Sequence, residues 1–180
     1  MTDVLRLAHT WELTADELAA IRDLLDAAFE GGFSDHDWDH GLGGLHAVVY
    51  DTAGPAAHGS VIMRRMVHGG RSYRVGYVEA MAVRPDRRRQ GLGGTVMEVL
   101  ERIIDGAYEL GALSASDDGA MLYRSRSWML WPGRIEVFGP GGVVPLPDEE
   151  GSTYLRPAGD RPLPEPAAAL VFDWRDGDLL

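Results

Sequence analysis

Apolar residues alternate with polar ones from Val4 to Ala8, the period of a half-buried strand. The period then changes, and Leu18, Ile21, Leu24, Leu25, Ala28 and Phe29 recur at the spacing of one helix face. Thr14 and Glu17 stand ahead of that stripe as a capping box, and Gly31-Gly32 closes it. A short second helix is predicted over Ser34–His40, with Ser34 as its cap. His46–Tyr50 and Ala57–Met63 read as strands joined through the turn formers of Asp51–Pro55, a hairpin. His68-Gly69-Gly70 turns the chain into a strand over Tyr73–Val83, and Val96, Val99, Leu100, Ile103 and Ile104 mark one face of a long helix. Gly111–Ser116 suits a buried strand, Asp117–Arg126 a helix and Trp128–Phe138 a further strand. Gly139–Pro147 reads as loop, and Arg161–Pro166 as a stiff connector. The order of elements predicts an α/β chain: a central mixed, mostly antiparallel sheet with helices on both faces, in a single domain over residues 1–180.

The junction between the strand ending at Val83 and the long helix carries the first chemistry. Gly91, Gly93 and Gly94 lack the Cβ atoms that would hold a phosphate away from the backbone, and the helix that follows presents unpaired N–H groups and a positive dipole end. Arg88 and Arg89 add charge-assisted donors. A P-loop needs Gly-Lys-Ser/Thr and a dinucleotide loop G-x-G-x-x-G, and neither is present. The spacing Arg88-x-x-Gly91-x-Gly93 resembles the acyl-coenzyme A loop of the GNAT superfamily of N-acetyltransferases. The competing reading is that Gly93-Gly94 only lets helix and sheet pack closely. Under the resemblance, Arg88, Arg89, Gln90, Gly91, Leu92, Gly93 and Gly94 bind the pyrophosphate of acetyl-CoA, and the backbone at Ala80, Met81, Ala82 and Val83 pairs with its pantetheine arm like an added strand.

Composition narrows the class. A chain of 180 residues, 45% hydrophobic, can bury one substantial core. No apolar run approaches the ~18 residues of a membrane span, and Met1–Arg6 lacks a signal-peptide layout, so a cytoplasmic protein is expected. The absence of cysteine excludes disulfides, Cys-ligated zinc and an acyl-cysteine intermediate, so an acetyl group would pass directly to its acceptor. A net charge of −11 points away from nucleic acid and towards a cationic partner, although charge of this size also serves solubility.

Beyond the loop the chain resembles the aminoglycoside 2'-N-acetyltransferases along nearly its whole length. The matching stretches are Asp37-Trp38-Asp39-His40, Leu42-Gly43-Gly44-Leu45-His46, Gly76-Tyr77-Val78-Glu79, Gly106–Ser114, Leu122-Tyr123 and the tail Asp173-Trp174-Arg175-Asp176-Gly177-Asp178. The resemblance implies the GNAT acyl-CoA N-acyltransferase fold, transfer of acetyl from acetyl-CoA to the 2'-amino group of an aminoglycoside antibiotic, resistance by drug modification and a homodimer. Other polyamines remain an alternative acceptor class, and a non-catalytic acetyl-CoA-binding module an alternative role.

Attack of an amine on a thioester needs a free lone pair, and aliphatic amines arrive protonated, so a base must lie within reach directly or through water. Glu79 lies four residues before Val83 on the strand that leads to the loop, and in the resembled family the matching Glu is the base, acting through water. The departing thiolate takes a proton, and Tyr123 matches the family's Tyr in that role. For the acceptor, carboxylates provide charge-assisted bonds to ammonium groups. The match offers Asp37, Glu79, Ser114, Glu149, Asp178 and the carboxylate of Leu180. Two departures stand out: an Asp-rich turn of the family becomes Asp148-Glu149-Glu150, and the residue before the late-strand aromatic, usually Gly, is Ser127.

One rival rests on spacing. His36-Asp37-x-x-His40-x-x-Gly43-x-x-His46 reproduces a metzincin zinc site with Asp in place of the catalytic Glu. Against it stand the shorter base, the short preceding helix and the lack of a Met-turn, and no metal is expected. Serine-hydrolase chemistry finds no G-x-S-x-G.

Overall fold

The structure, a computed structural model, describes residues 3–180. Its strands are β1 (Val4–His9), β2 (Leu45–Asp51), β3 (Gly54–His68), β4 (Arg71–Val83), β5 (Leu110–Ser114), β6 (Met129–Leu130), β7 (Ile135–Gly139), β8 (Gly142–Pro145), β9 (Thr153–Pro157) and β10 (Leu170–Phe172). Its helices are α1 (Ala15–Ala28), α2 (Asp35–His40), α3 (Leu92–Ala107) and α4 (Asp117–Ser125). The chain gathers into two compact units, one holding the residues up to Ile62 with Val78–Arg102, the other Met63–Tyr77 with Ile103–Leu180. The boundaries fall inside β3, β4 and α3.

In the first unit, β1 pairs antiparallel with β2 (Val4 opposite Tyr50) and β2 with β3 (Leu45 opposite Val61). Helix α1 forms where predicted. Thr14 Oγ1 accepts from Glu17 N at 3.3 Å while Glu17 Oε2 accepts from Thr14 N at 2.9 Å, which satisfies donors the helix start leaves over. Its apolar stripe buries Ile21 and Leu25 with Ala8, Leu13, Phe33, Val48 and Ala82. The first part of α3 lies tight on the sheet because of Gly59, where a Cβ would come within 2.9 Å of Met81 Sδ and Val96 Cγ1.

In the second unit the strands run β6-β9-β5-β4-β3-β10-β7-β8, with β4–β5 and β7–β10 parallel and the remaining recorded pairs antiparallel. Gly111 admits the Trp128 indole, which a Cβ would meet at 2.9 Å.

The structure corrects two sequence readings and adds two strands. Trp128–Phe138 is not one strand: Pro132 and Gly133 break it into β6 and β7, since Pro has no N–H to give a ladder. Gly139–Pro147 is not all loop. Gly142, at φ +129°, lets the chain reverse, and Val143 and Val144 pair with Phe138 and Val137. Thr153–Pro157 and Leu170–Phe172, which carry too few residues to show a period, become β9 and β10.

Candidate active site

The first unit holds the loop, the end of β4 and Glu79. Within β4, Ala80 lies in the left-handed region at φ +49°, a local bulge of the strand. The Ala80 carbonyl accepts from His58 Nδ1 at 2.8 Å, and the carbonyl of half-buried Glu79 accepts from Ser60 Oγ at 3.5 Å. His58 Nε2 lies 2.9 Å from His46 Nδ1, and His46 Nε2 lies 2.8 Å from Thr10 Oγ1. Burial holds both rings neutral, lowering His46 to about 4 and His58 to about 3. His46, the last histidine of the zinc-site spacing, thus has both ring nitrogens engaged within the fold, and among the described residues no group of His, Asp or Glu is arranged to hold a metal.

After Val83 the chain passes a short 3-10 turn, Pro85–Arg87, and enters α3 at Leu92. Arg84 donates to Asp51 at 2.6 Å and to Asp86 at 2.7 Å; Arg87 donates to Asp51 and, at 2.9 Å, to Asp3. These guanidiniums hold the Asp51 carboxyl far below the usual carboxylate range. Gln90 bridges Arg87 Nε (3.0 Å) and the Asp86 carbonyl (3.2 Å) through its amide, so it shapes the loop. Arg88 and Arg89 are exposed, Arg89 at φ +58° and Gly91 at φ +85°. Open space surrounds the Gly91 Cα where a Cβ would stand, and α3 begins at the next residue, so the loop fits an anionic diphosphate in space, charge and backbone donors. Asp37, also in this unit, serves α2: its Oδ2 accepts from Ser34 N at 2.7 Å and Ser34 Oγ at 2.8 Å in a capping box.

The second unit holds Tyr123 and most of the candidate acceptor groups. Tyr123, buried in α4, sits edge-on to Trp128 and tilted against Tyr154, both at 6.3 Å between ring centroids. Ser114, at the end of β5, donates to Glu149 Oε2 at 2.8 Å, and Ser152 donates to the same oxygen at 2.9 Å. Glu149 ends a 3-10 turn that faces the C-terminal segment across a cavity of about 290 Å3 lined by Pro147, Asp148, Glu149, Gly177, Asp178 and Leu179. The structure thus brings Ser114, Glu149 and Asp178 into one neighbourhood, open to solvent and rich in carboxylate.

The model of the GNAT acetyltransferase family matches residues 11–121, the stretch from the start of the first unit through the loop to α4. The chain belongs to the GNAT acetyltransferase family. It is 42% identical over 179 residues, 97% of this chain and 90% of the relative, to an aminoglycoside 2'-N-acetyltransferase of Mycolicibacterium fortuitum. Among solved structures it is similar in fold to a GNAT-family N-acetyltransferase of Escherichia coli in complex with CoA, at a TM-score of 0.65 and 16% identity over 97% of this chain and 90% of that one. It is also similar to a probable N-acyltransferase of Enterococcus faecalis, at a TM-score of 0.60 and 14% identity over 74% of this chain. The chain spans about a third of that protein's length, 34%.

In this GNAT acetyltransferase several structural supports of the site escape sequence reading. His58 appears in sequence as one polar residue in an apolar strand, and its partner Ala80 as an ordinary strand alanine. Arg64, buried on β3, donates to Asp173 Oδ1 at 2.8 Å, to the Asp173 carbonyl at 2.7 Å and to the Leu179 carbonyl at 2.9 Å, tying down the tail that carries Asp178 and the terminal carboxylate. No local motif marks such a contact. Arg64 lies one residue beyond the strand predicted over Ala57–Met63, and β3 runs on to His68.

Proposed function

We propose that the chain is a cytoplasmic N-acetyltransferase, a single catalytic domain over residues 1–180, which acetylates the 2'-amino group of aminoglycosides and thereby confers resistance to them. The observation that carries the acceptor class is the carboxylate-lined cavity formed by Glu149, Asp148 and Asp178, in a chain 42% identical to an aminoglycoside 2'-N-acetyltransferase. Carboxylates around a small open cavity suit a polyammonium ligand. The net charge of −11 adds long-range attraction for it.

Acetyl-CoA supplies the acetyl group as an activated thioester. Arg88 and Arg89 meet its diphosphate together with the N–H groups of Gly91–Gly94, and the Met81–Val83 backbone offers the edge for its pantetheine amides. A backbone N–H beside the Ala80 bulge polarises the acetyl carbonyl. Glu79 takes the proton of the acceptor ammonium, through water, before attack. The Tyr123 hydroxyl gives a proton to the departing sulfur. Asp37, Ser114, Glu149, Asp178 and the Leu180 carboxylate hold the acceptor's ammonium and hydroxyl groups. The protein works as a homodimer; the exposed Phe138, Val143, Val144 and Trp174 of the second unit favour a protein contact.

The deciding experiment is steady-state release of CoA with paired acceptors. Tobramycin and gentamicin, with a 2'-amine, turn over, while kanamycin A, with a 2'-hydroxyl, binds without reacting. Turnover of kanamycin A, or of no 2'-amino drug, rejects the regiospecific reading and leaves an acetyltransferase for another amine.

A further inference from the structure

The two buried histidines behind β4 have no part in the chemistry above, yet their hydrogen bonds run in one direction only. The Ala80 carbonyl can only accept, so His58 Nδ1 carries the hydrogen at that 2.8 Å contact. A neutral ring holds one N–H, which leaves His58 Nε2 as acceptor and requires His46 Nδ1 to donate to it at 2.9 Å. His46 Nε2 is then an acceptor as well, and the single Thr10 Oγ1 hydrogen goes to it at 2.8 Å rather than to the Gly44 carbonyl at a longer 3.3 Å, while Thr10 Oγ1 accepts from Gly43 N at 2.9 Å. Every donor meets an acceptor from the Gly43 amide to the Ala80 carbonyl. In this arrangement an added proton on His58 Nε2 would set donor against donor at His46 Nδ1, and burial disfavours charge on both rings.

The far end of this chain is the place where β4 is strained. A non-glycine residue in the left-handed region is strained and persists only where its surroundings impose it. At Ala80 the imposing group is the His58 N–H, with Ser60 Oγ on the preceding carbonyl and the Gly41 backbone close by, where a Cβ would stand 3.6 Å from Ala80 Cβ. The near end is the Gly43-Gly44 turn that follows α2, since Thr10 N also donates to the Gly44 carbonyl at 3.0 Å. We propose that Thr10, His46 and His58 form a one-way hydrogen-bond relay that fixes the β4 bulge at Ala80 in the shape that receives the acyl donor. They are positioning residues, acting through the Ala80–Val83 backbone. The proposal rests on the acetyl-CoA reading given above.

Two measurements test it. Long-range 1H–15N spectroscopy of the wild-type protein at neutral pH should show His46 and His58 in the Nδ1–H tautomer, the minor one for free imidazole. An Nε2–H or doubly protonated ring at either position overturns the relay. Calorimetry with acetyl-CoA, without acceptor, should then find binding weakened about ten-fold in His58→Leu, the change expected when a buried carbonyl loses its donor. His58→Asn, whose side-chain amide can still reach the Ala80 carbonyl, should recover most of it. Thr10→Val, at the accessible end, should weaken binding in the same direction by a smaller factor, which keeps the test decisive if His58→Leu does not fold. Equal acetyl-CoA affinity in wild type and in the folded variants overturns the relay and leaves the acetyl-CoA reading intact. A wild type that does not bind acetyl-CoA overturns both.

Discussion

Arg64 Nε donates to Asp173 Oδ1 at 2.8 Å, from a guanidinium that is only 3% exposed to a carboxylate that is 45% exposed. The pairing joins β3 to the C-terminal tail of the second unit, and the same guanidinium lies 4.9 Å from the centroid of the Tyr77 ring and 5.3 Å from that of Phe172. The buried guanidinium therefore combines a charge-assisted bond to a half-exposed carboxylate with two cation–π contacts.

Arg64→Met should lower stability by roughly 2 kcal/mol, because the Asp173 and Leu179 carbonyls lose their donor, while water replaces part of the bond to the half-exposed Asp173 carboxylate. Thermal denaturation measures the loss. KM for the aminoglycoside should rise while KM for acetyl-CoA holds, because the tail carrying Asp178 is released. Equal change in both KM values would count against the tail's role.

Glu149→Gln and Asp178→Asn each remove one charge-assisted bond to an ammonium group, worth ~1.5–3 kcal/mol, so each should raise KM for the aminoglycoside roughly ten- to a hundred-fold. Ser114→Ala should act in the same direction with a smaller factor, since Glu149 keeps its bond from Ser152. Raising ionic strength should weaken acceptor binding in the wild type, because part of the attraction is long-range Coulomb energy, which salt screens. Steady-state kinetics at two salt concentrations checks all of these.

The cofactor loop is tested at Gly91, whose φ of +85° excludes an L side chain without strain. Gly91→Val should weaken acetyl-CoA binding strongly and leave aminoglycoside binding nearly unchanged. Isothermal calorimetry with each ligand alone separates the two.

Ser127 occupies φ +65°, in the left-handed region, at the position where the resembled family usually has Gly. That departure thus carries a conformational cost. Ser127→Gly should relieve it and raise stability by about 0.5 kcal/mol, the strain removed less the greater freedom of Gly in the unfolded chain, and so by about 1–2 °C in Tm. A fall in Tm would show that the serine makes a compensating contact.

Stability should drop as pH falls below neutral. His46 and His58 have folded-state values near 4 and 3 against an ordinary 6.5, so between those limits the unfolded chain binds protons that the folded chain refuses. The contribution of the neutral pair is complete above about pH 6.5 and lost progressively down to about pH 3–4. A series of Tm against pH should steepen in that window for the wild type and flatten for His46→Asn. Equal slopes would mean that the histidines titrate normally.

The sequence by itself determined a great deal where local physics is sufficient. The capping boxes at Thr14 and Ser34, the apolar stripes of α1 and α3, the hairpin at Asp51–Pro55 and the strand–loop–helix around Arg88–Gly94 each depend on residues within a few positions of one another. The resemblance placed Ser114 and Glu149 on the acceptor side, and the structure sets them 2.8 Å apart. Tertiary structure alone decided the rest. Strands β9 and β10 are short and owe their form to partners distant in sequence, as where Leu170 lies opposite Ile135, so no period in their own residues could announce them. The bulge at Ala80 is invisible in an alanine; it exists because His58, twenty-two residues earlier, offers its carbonyl a donor. The same holds for Arg64, whose partners lie 109 and 115 residues away. A buried polar side chain must find a partner on folding, but its sequence position does not say which one, because that choice is made only when the strands are in register.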